Sequence, residues 1–177
     1  MTYPKPYIDF LVHFHGSRDY FECHEILEDY WKKHDCKNRS SVWVSLIQIA
    51  VALYHQRTGN VKGAFRILKK AMISLEKQKE QLFALGLDYE QLIIILQKRL
   101  SEISAGAMYY SLHLPISDEK LIKVCQEQCL HLGYNWNDES NLANKFLLFK
   151  HSLRDRSEIK LEREKQLMQR RNKRPHS

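Results

Sequence analysis

Apolar residues recur along most of the chain at the spacing of an amphipathic α-helix. The clearest stripe lies in residues 61–82, where steps of three, four or seven residues separate Val61, Phe65, Leu68, Met72, Leu75 and Leu82. Such steps place side chains on one face of a helix. Residues 42–54 are apolar on nearly every side, which predicts a helix buried by several neighbours. No alternation typical of a strand is long enough to compete, so we predict an all-α fold.

Turn and capping residues divide this pattern into seven predicted helices. Their expected bounds are 5–15, 18–34, 41–57, 61–85, 88–104, 117–132 and a last helix from near Asp138 or Ser140. Ser17, Asn60 and Ser117 are expected near helix N-termini, and Gly59 suits the left-handed position after a helix. The last helix carries the apolar stripe Leu142, Phe146, Phe149 and Leu153.

The predicted architecture is an irregular helical bundle with a central antiparallel helix pair and a long basic C-terminal helix. Residues 1–104 are expected to form a helical core domain. Residues 105–177 would form a C-terminal extension that packs on this core and ends in a basic tail. The chain has 177 residues, of which only 6 are Gly and 4 are Pro, as expected for long helices joined by short loops.

Composition bears on the cellular location of the protein. No stretch approaches the ~18 apolar residues of a membrane helix, and the N-terminus shows no signal-peptide pattern. The 4 cysteines are too few and too irregular for a disulfide framework. We therefore expect no membrane contact and a cytoplasmic location. Cys125 and Cys129 share a helix face and are interpreted as core thiols, because zinc sites need four ligands.

Charge is concentrated at the C-terminus. Residues 150–177 hold ten Lys/Arg and four Asp/Glu, which is +6 of the net +7. This tail is interpreted first as a solvated charged segment. Its end offers Arg170, Arg171, Lys173 and Arg174 to an anionic partner, so weak contact with RNA or another polyanion is a second hypothesis.

Two predicted helices place polar side chains within their apolar faces. On a helical wheel, His24 and Glu28 lie one turn apart among apolar and aromatic residues, while Glu25 points about 100° away from His24. On the next helix, Gln48 and His55 fall on one line, surrounded by small and apolar residues. The two faces are expected to meet and to form one buried or half-buried polar cluster.

This cluster supports three interpretations. The first is a structural hydrogen-bond network that fixes helix register, in which case Glu28→Ala should cost about 1–3 kcal/mol. The second is a small-molecule or acid–base site. The third is a metal site, which suffers from having only three convergent ligands. We expect no metal and no cofactor. An open cavity around these side chains would favour a binding site, and a closed helix interface would favour the network.

The strings YFECHEILEDYW at 20–31, LIQIAVALYH at 46–55 and GNVKGA at 59–64 resemble the bacterial family of domains of unknown function numbered 309. The resemblance covers roughly residues 10–80 and implies an all-helical fold without an established reaction. The matching positions are His24, Glu25, Glu28, Trp31, Gln48, His55, Asn60, Gly63 and Ala64.

From these observations we predict a helical protein that acts as a non-enzymatic interaction or scaffold module, either with a protein partner or as a homodimer. Its predicted polar cluster is His24, Glu25, Glu28, Gln48 and His55. Trp31, Asn60, Gly63 and Ala64 would serve the helix turns and packing. The alternative is a small-molecule-binding or acid–base enzyme, with or without the help of a metal, which uses His24, Glu28 and His55. The sequence does not decide whether the protein is an enzyme.

Overall fold

The computed structural model describes residues 2–153, with the backbone alone at 151–153. Within this range the chain forms α-helices and no strand, which confirms the all-α prediction. The helices are α1 Lys5–Val12, α2 Tyr20–His34, α3 Val42–Arg57, α4 Val61–Leu75, α5 Lys79–Ala84, α6 Tyr89–Ser104, α7 Glu119–His131 and α8 Lys145–Leu153. A π-helical turn, His13–Ser17, extends α1. Among these helices, none is long and apolar enough to cross a membrane.

A sharp corner joins the first helix to α2. Arg18 takes the left-handed conformation with φ of 56°, and Asp19 then caps α2 by accepting the backbone N–H of Glu22 at 3.0 Å. The prediction of Ser17 as the cap was wrong by two residues. Ser17 Oγ instead accepts the backbone N–H of Asp19 at 3.3 Å, so the serine supports the corner and the carboxylate caps the helix.

Helix α3 occupies the centre of the molecule. It packs against both α2 and α4, and most of its residues are buried, as its largely apolar sequence predicts. The turn into α4 also follows the prediction. Gly59 has φ of 82°, and Asn60 Oδ1 accepts the Gly63 N–H at 3.0 Å. Local sequence chemistry therefore determines how α3 passes into α4.

The predicted helix 61–85 is two helices. Helix α4 ends at Leu75 and α5 begins at Lys79. Between them, the buried side chain of Gln78 donates from Nε2 to the Ser40 carbonyl at 2.6 Å. This bond ties the end of α4 to the α2–α3 loop, a distant contact that the apolar stripe does not indicate.

Helices α6 and α7 close the core. Asp88, predicted as the first residue of this helix, instead caps α6 by accepting the Gln91 N–H at 3.0 Å. Asp118 caps α7, not the predicted Ser117, whose hydroxyl donates to the Gly86 carbonyl at 3.1 Å. The later half of the chain shares the core of the earlier half through buried Leu112, Leu114, Leu121, Cys125 and Cys129. The boundary at residue 104 stays a prediction.

The last helix begins at Lys145, later than the predicted Asp138 or Ser140. Its predicted apolar stripe does not pack on the core, because Leu142, Phe146 and Phe149 are 52%, 64% and 44% exposed. Polar contacts hold this segment instead. Lys150 Nζ lies 2.6 Å from Asp19 and 3.0 Å from Glu22 at the start of α2.

Candidate functional site

A cleft of about 170 Å³ opens between α2 and α3. It is lined by Tyr20, Phe21, His24, Val51, Tyr54 and His55. The two helices therefore meet on the faces that the sequence predicts. The meeting leaves a cavity that is open to solvent, which is the arrangement expected of a binding site.

His24 enters the cleft from α2 with carboxylates on both sides of its ring. Its Nδ1 lies 3.1 Å from Glu25 Oε1, and its Nε2 lies 3.8 Å from Glu28 Oε2. A carboxylate accepts hydrogen bonds but does not donate them, so Nδ1 carries a proton. In the neutral ring the lone pair is then on Nε2. Glu28 is shared with Lys32, whose Nζ is 3.0 Å away.

These side chains are half-buried. The exposed fractions are 30% for His24 and 32% for both Glu25 and Glu28. Glu25 was expected to point away from His24, and its side chain nevertheless reaches back to the imidazole. The wheel gives the direction of Cα–Cβ only, and a three-carbon side chain covers the remaining distance.

His55 enters from the end of α3, and its two ring nitrogens have the reverse hydrogen-bonding roles of those in His24. The Asn60 amide oxygen is committed to the Gly63 N–H, which turns its Nδ2 towards His55 Nδ1 at 3.1 Å. An amide nitrogen only donates, so Nδ1 accepts and the ring proton lies on Nε2. Burial, and then the positive charge of Arg66, lower the pKa of His55. The ring is therefore neutral near pH 7.

The cleft thus contains two imidazoles that offer different hydrogen-bonding atoms to a ligand. When the His24 ring is neutral, the proton on its Nδ1 leaves Nε2 as an acceptor, and the amide on His55 Nδ1 leaves Nε2–H as a donor. The nitrogen that bears the proton is determined by the bond on the other nitrogen. A small molecule with one donor and one acceptor is matched by this pair.

Arg57 lies behind the aromatic wall of the cleft. Its guanidinium carbon is 4.7 Å from the centre of the Tyr20 ring and 5.9 Å from that of Tyr54. Its nitrogens donate to the Arg18 carbonyl at 2.7 Å and to Ser140 Oγ at 3.3 Å. Arginine stacked on tyrosine is held in place by cation–π attraction. The positive charge is therefore fixed next to the cavity.

The other predicted cluster and turn residues take different places. Gln48 is half-buried, and its Oε1 has no hydrogen-bond partner among the described residues. Trp31 Nε1 donates to the Asn38 carbonyl at 3.0 Å and closes the α2–α3 loop. Ala64 is fully buried in the core. A Cβ added to Gly63 would lie 2.5 Å from Asn60 Nδ2, so glycine is needed for the Asn60 cap.

Within the part of the chain that the structure describes, one group of side chains could hold a metal ion. Ligand atoms of His24, Glu25 and Glu28 all lie within 4.8 Å of one another. Glu25, however, occupies Nδ1 of His24, as an orienting carboxylate does in many metal sites. Nε2 and the Glu28 carboxylate then remain as direct ligands, with the rest of the shell to be supplied by water or a bound molecule.

The cysteine candidates are core residues. Cys125 and Cys129 are buried, and burial raises the pKa of Cys125 to about 12 and of Cys129 to about 11. Such thiols are poor metal ligands, because the thiolate is the form that coordinates. The predicted anion-binding residues Arg170, Arg171, Lys173 and Arg174 lie outside the described residues.

Comparison with known proteins places these residues in a family. A family model described as a domain of unknown function (DUF309) matches residues 7–67. The chain is also 46% identical over 172 residues to the uncharacterized protein YpuF of Bacillus subtilis (strain 168). This aligned region covers 97% of this chain and 99% of that protein. The chain belongs to the DUF309 family. No solved structure matches it significantly.

The family match confirms the resemblance and contains both helices of the cleft. The DUF309 segment ends within α4, so it includes His24, His55 and Asn60 but not the C-terminal residues that contact Arg57. The sequence signal for the two histidines was their position within apolar faces. Tyr20, Tyr54 and Arg57 were missed because aromatic and cationic residues on a helix give no such signal.

Proposed function

We propose that this DUF309 protein binds a small polar molecule in the cleft between α2 and α3. One observation carries the proposal: two imidazoles of opposite hydrogen-bond polarity, His24 and His55, face the same open cavity. Each polarity is imposed by a neighbour, Glu25 in one case and Asn60 in the other. A pair that served packing alone would have no need of an open cavity between the rings.

The size and walls of the cleft limit its ligand. A volume of about 170 Å³ corresponds to roughly six water molecules at about 30 Å³ each. Aromatic rings of Phe21, Tyr54 and the fully buried Tyr20 surround the cavity, and the imidazoles supply directional contacts. Few polar groups on an otherwise apolar lining are typical of metabolite sites. The ligand is therefore a small metabolite or one end of a larger one.

Binding alone agrees with a non-enzymatic interaction module. Acid–base chemistry is a second candidate, favoured by the opposite polarity of the two imidazoles, since general acid–base catalysis needs a proton acceptor and a proton donor on one substrate. Prolonged incubation with an identified ligand separates the two functions. Recovery of the ligand unchanged would leave binding, and recovery of a product would establish a reaction.

We propose a cytoplasmic location for this activity. All four cysteines are free thiols, and Cys36 among them is exposed. A reducing compartment suits an exposed thiol that has no disulfide partner.

The test is to fill the cleft. Val51→Trp places an indole in the cavity, while Val124→Trp makes the same change at a valine on α7 that is 43% exposed. A panel of small metabolites is screened by thermal shift against the wild type and both variants. We expect a ligand that stabilises the wild type and Val124→Trp but not Val51→Trp. Ligands that stabilise all three proteins equally would contradict the proposed site.

A further inference from the structure

We infer that the cleft recognises an anionic oxygen group, a carboxylate or a phosphate, with His55 Nε2–H as the donor and Arg57 as the fixed positive charge behind it. This inference rests on the proposed function and names the chemistry of its ligand. It follows from three features: a ring N–H donor on a residue that lines the cavity, a buried cation without a carboxylate partner, and the lysines that lie beside the nearby carboxylates.

The donor is the first feature. The chain Gly63 N–H, Asn60 amide and His55 Nδ1 commits the ring proton to Nε2, on a residue that lines the cleft. A fixed N–H that faces a cavity binds an oxygen acceptor, and an anionic oxygen gives a shorter and stronger bond than a neutral one. Arg66 also bears on this ring through its positive charge.

The uncompensated cation is the second feature. Arg57 is only 9% exposed and Arg18, whose carbonyl it contacts, is fully buried. Within residues 2–150, neither guanidinium forms an ion pair with a carboxylate, and Arg57 Nε is buried without a hydrogen-bond partner. A buried charge is expensive unless an opposite charge lies near it. An anion in the cleft, separated from Arg57 by the Tyr20 ring, would supply that charge.

The pairing of the nearby carboxylates is the third feature. Asp19 and Glu22 are held by Lys150 at 2.6 and 3.0 Å. Glu28 is held by Lys32 at 3.0 Å. Asp19 and Glu22 share one lysine, so these three acids have two cations between them, and the lysines weaken their repulsion of an incoming anion.

The polarity of the cleft also orients the ligand. The anionic group would lie at the His55 end, towards α4. At the opposite end, His24 Nε2 and the Glu28 carboxylate accept hydrogen bonds, which suits an amine or hydroxyl. Small hydroxy acids, amino acids and phosphorylated alcohols have this arrangement of groups, and the cavity volume admits molecules of that size.

The experiment compares acetate with acetamide, which has the same shape and no charge, on the full-length protein. Inorganic phosphate is the second anion, and methylammonium is the cationic probe. Binding is followed by the ¹H and ¹⁵N resonances of the His55 and His24 rings at pH 7. We expect acetate or phosphate to perturb His55, with acetamide and methylammonium at least about tenfold weaker there, as loss of a charge-assisted bond implies. The tighter of acetate and phosphate identifies the anion.

Asn60→Asp is the sharpest variant. Aspartate keeps the shape and still caps α4, but it only accepts hydrogen bonds, so it draws the His55 proton to Nδ1 and leaves a lone pair on Nε2. We expect the ¹⁵N spectrum to show this tautomer change and acetate binding to fall about tenfold or more. Asp88→Asn is the control, because it makes the reverse exchange at the cap of α6, outside the cleft, and should leave binding unchanged.

Arg57→Gln removes the buried charge and Arg57→Lys retains it. Acetate binding that survives in the lysine variant and is lost in the glutamine variant supports the inference. If Arg57→Gln does not fold, the wild-type comparison of acetate with acetamide decides alone. Equal binding of acetate and acetamide, or binding of methylammonium alone, overturns the anion inference and leaves the cleft as a binding site. Failure of every probe at His24 and His55, together with a metabolite screen insensitive to Val51→Trp, overturns both.

Discussion

His15 should make the stability of this protein fall as the solution is acidified. The ring is 2% exposed and is stacked on Trp136 with 4.4 Å between ring centres. Its Nδ1 lies 2.7 Å from Asn137 Oδ1, while Nε2 is buried without a partner among the described residues. A second proton would therefore enter a site with no acceptor. The pKa of His15 is lowered to about 3, mainly because the ring is buried and to a smaller extent because Arg18 is positively charged.

The size of the effect follows from the difference in the pKa of His15 between the folded and the unfolded chain. The unfolded histidine takes up a proton near pH 6.5, whereas the folded one resists protonation until about pH 3. Stability is fully present above pH 6.5 and is lost progressively as the pH falls through this window, because the unfolded chain binds the proton first. Each pH unit is worth about 1.4 kcal/mol, so the loss at pH 5 should be about 2 kcal/mol.

Urea unfolding at pH 7 and pH 5 measures this loss. His15→Phe keeps a ring against Trp136 but cannot be protonated, and His131→Phe makes the same change at an exposed position at the end of α7. Between the two pH values, His15→Phe should lose about 2 kcal/mol less than the wild type. His131→Phe should lose as much as the wild type. Equal losses in all three proteins would show that His15 is not the group responsible.

Three further predictions address the site and the tail. Glu28→Ala should lower the free energy of unfolding by less than about 1 kcal/mol, because Glu28 is half-exposed and paired with Lys32. A larger loss would support the structural hydrogen-bond network that was the first interpretation of the sequence. Protein purified without added metal should contain no stoichiometric zinc, iron or manganese by elemental analysis, because His24 and Glu28 give only two direct ligands; one metal per chain, abolished by His24→Ala, would contradict this. Deletion of residues 169–177 should strongly reduce any salt-sensitive binding to RNA or another polyanion without unfolding the protein; equal binding by the truncated chain would place the anion surface on the body.

The parts of the fold that follow from local chemistry were predictable. The Gly59–Asn60 turn and the buried α3 follow from neighbouring residues alone. The interruption of the 61–85 helix was not predictable, because Gln78 bonds to Ser40, 38 residues away. The α8 start was misplaced for a related reason: its apolar residues form a helical stripe, yet its contacts with the body run through Lys150 and Arg57.

The candidate site was partly predictable for the same reason. His24 and His55 are conspicuous, since each is a polar residue within an apolar helix face, and the meeting of those faces follows from the need to bury them. The polarity of the two rings depends on side-chain directions that a helical wheel does not contain. Glu25 bends back to His24, and Asn60 crosses a helix turn to reach His55.

The buried Arg18 has a consequence for how the chain can be divided. Its guanidinium donates to the carbonyls of Phe14 at 2.8 Å, Leu112 at 2.7 Å and Asp138 at 2.6 Å. The segment recognised across the DUF309 family, 7–67, contains the arginine but only the first of these acceptors. A fragment cut at that border would leave a cation in the interior with most of its partners removed. The segment that the family model matches is thus shorter than the segment that encloses this arginine, and fragments meant for expression should extend beyond Asp138.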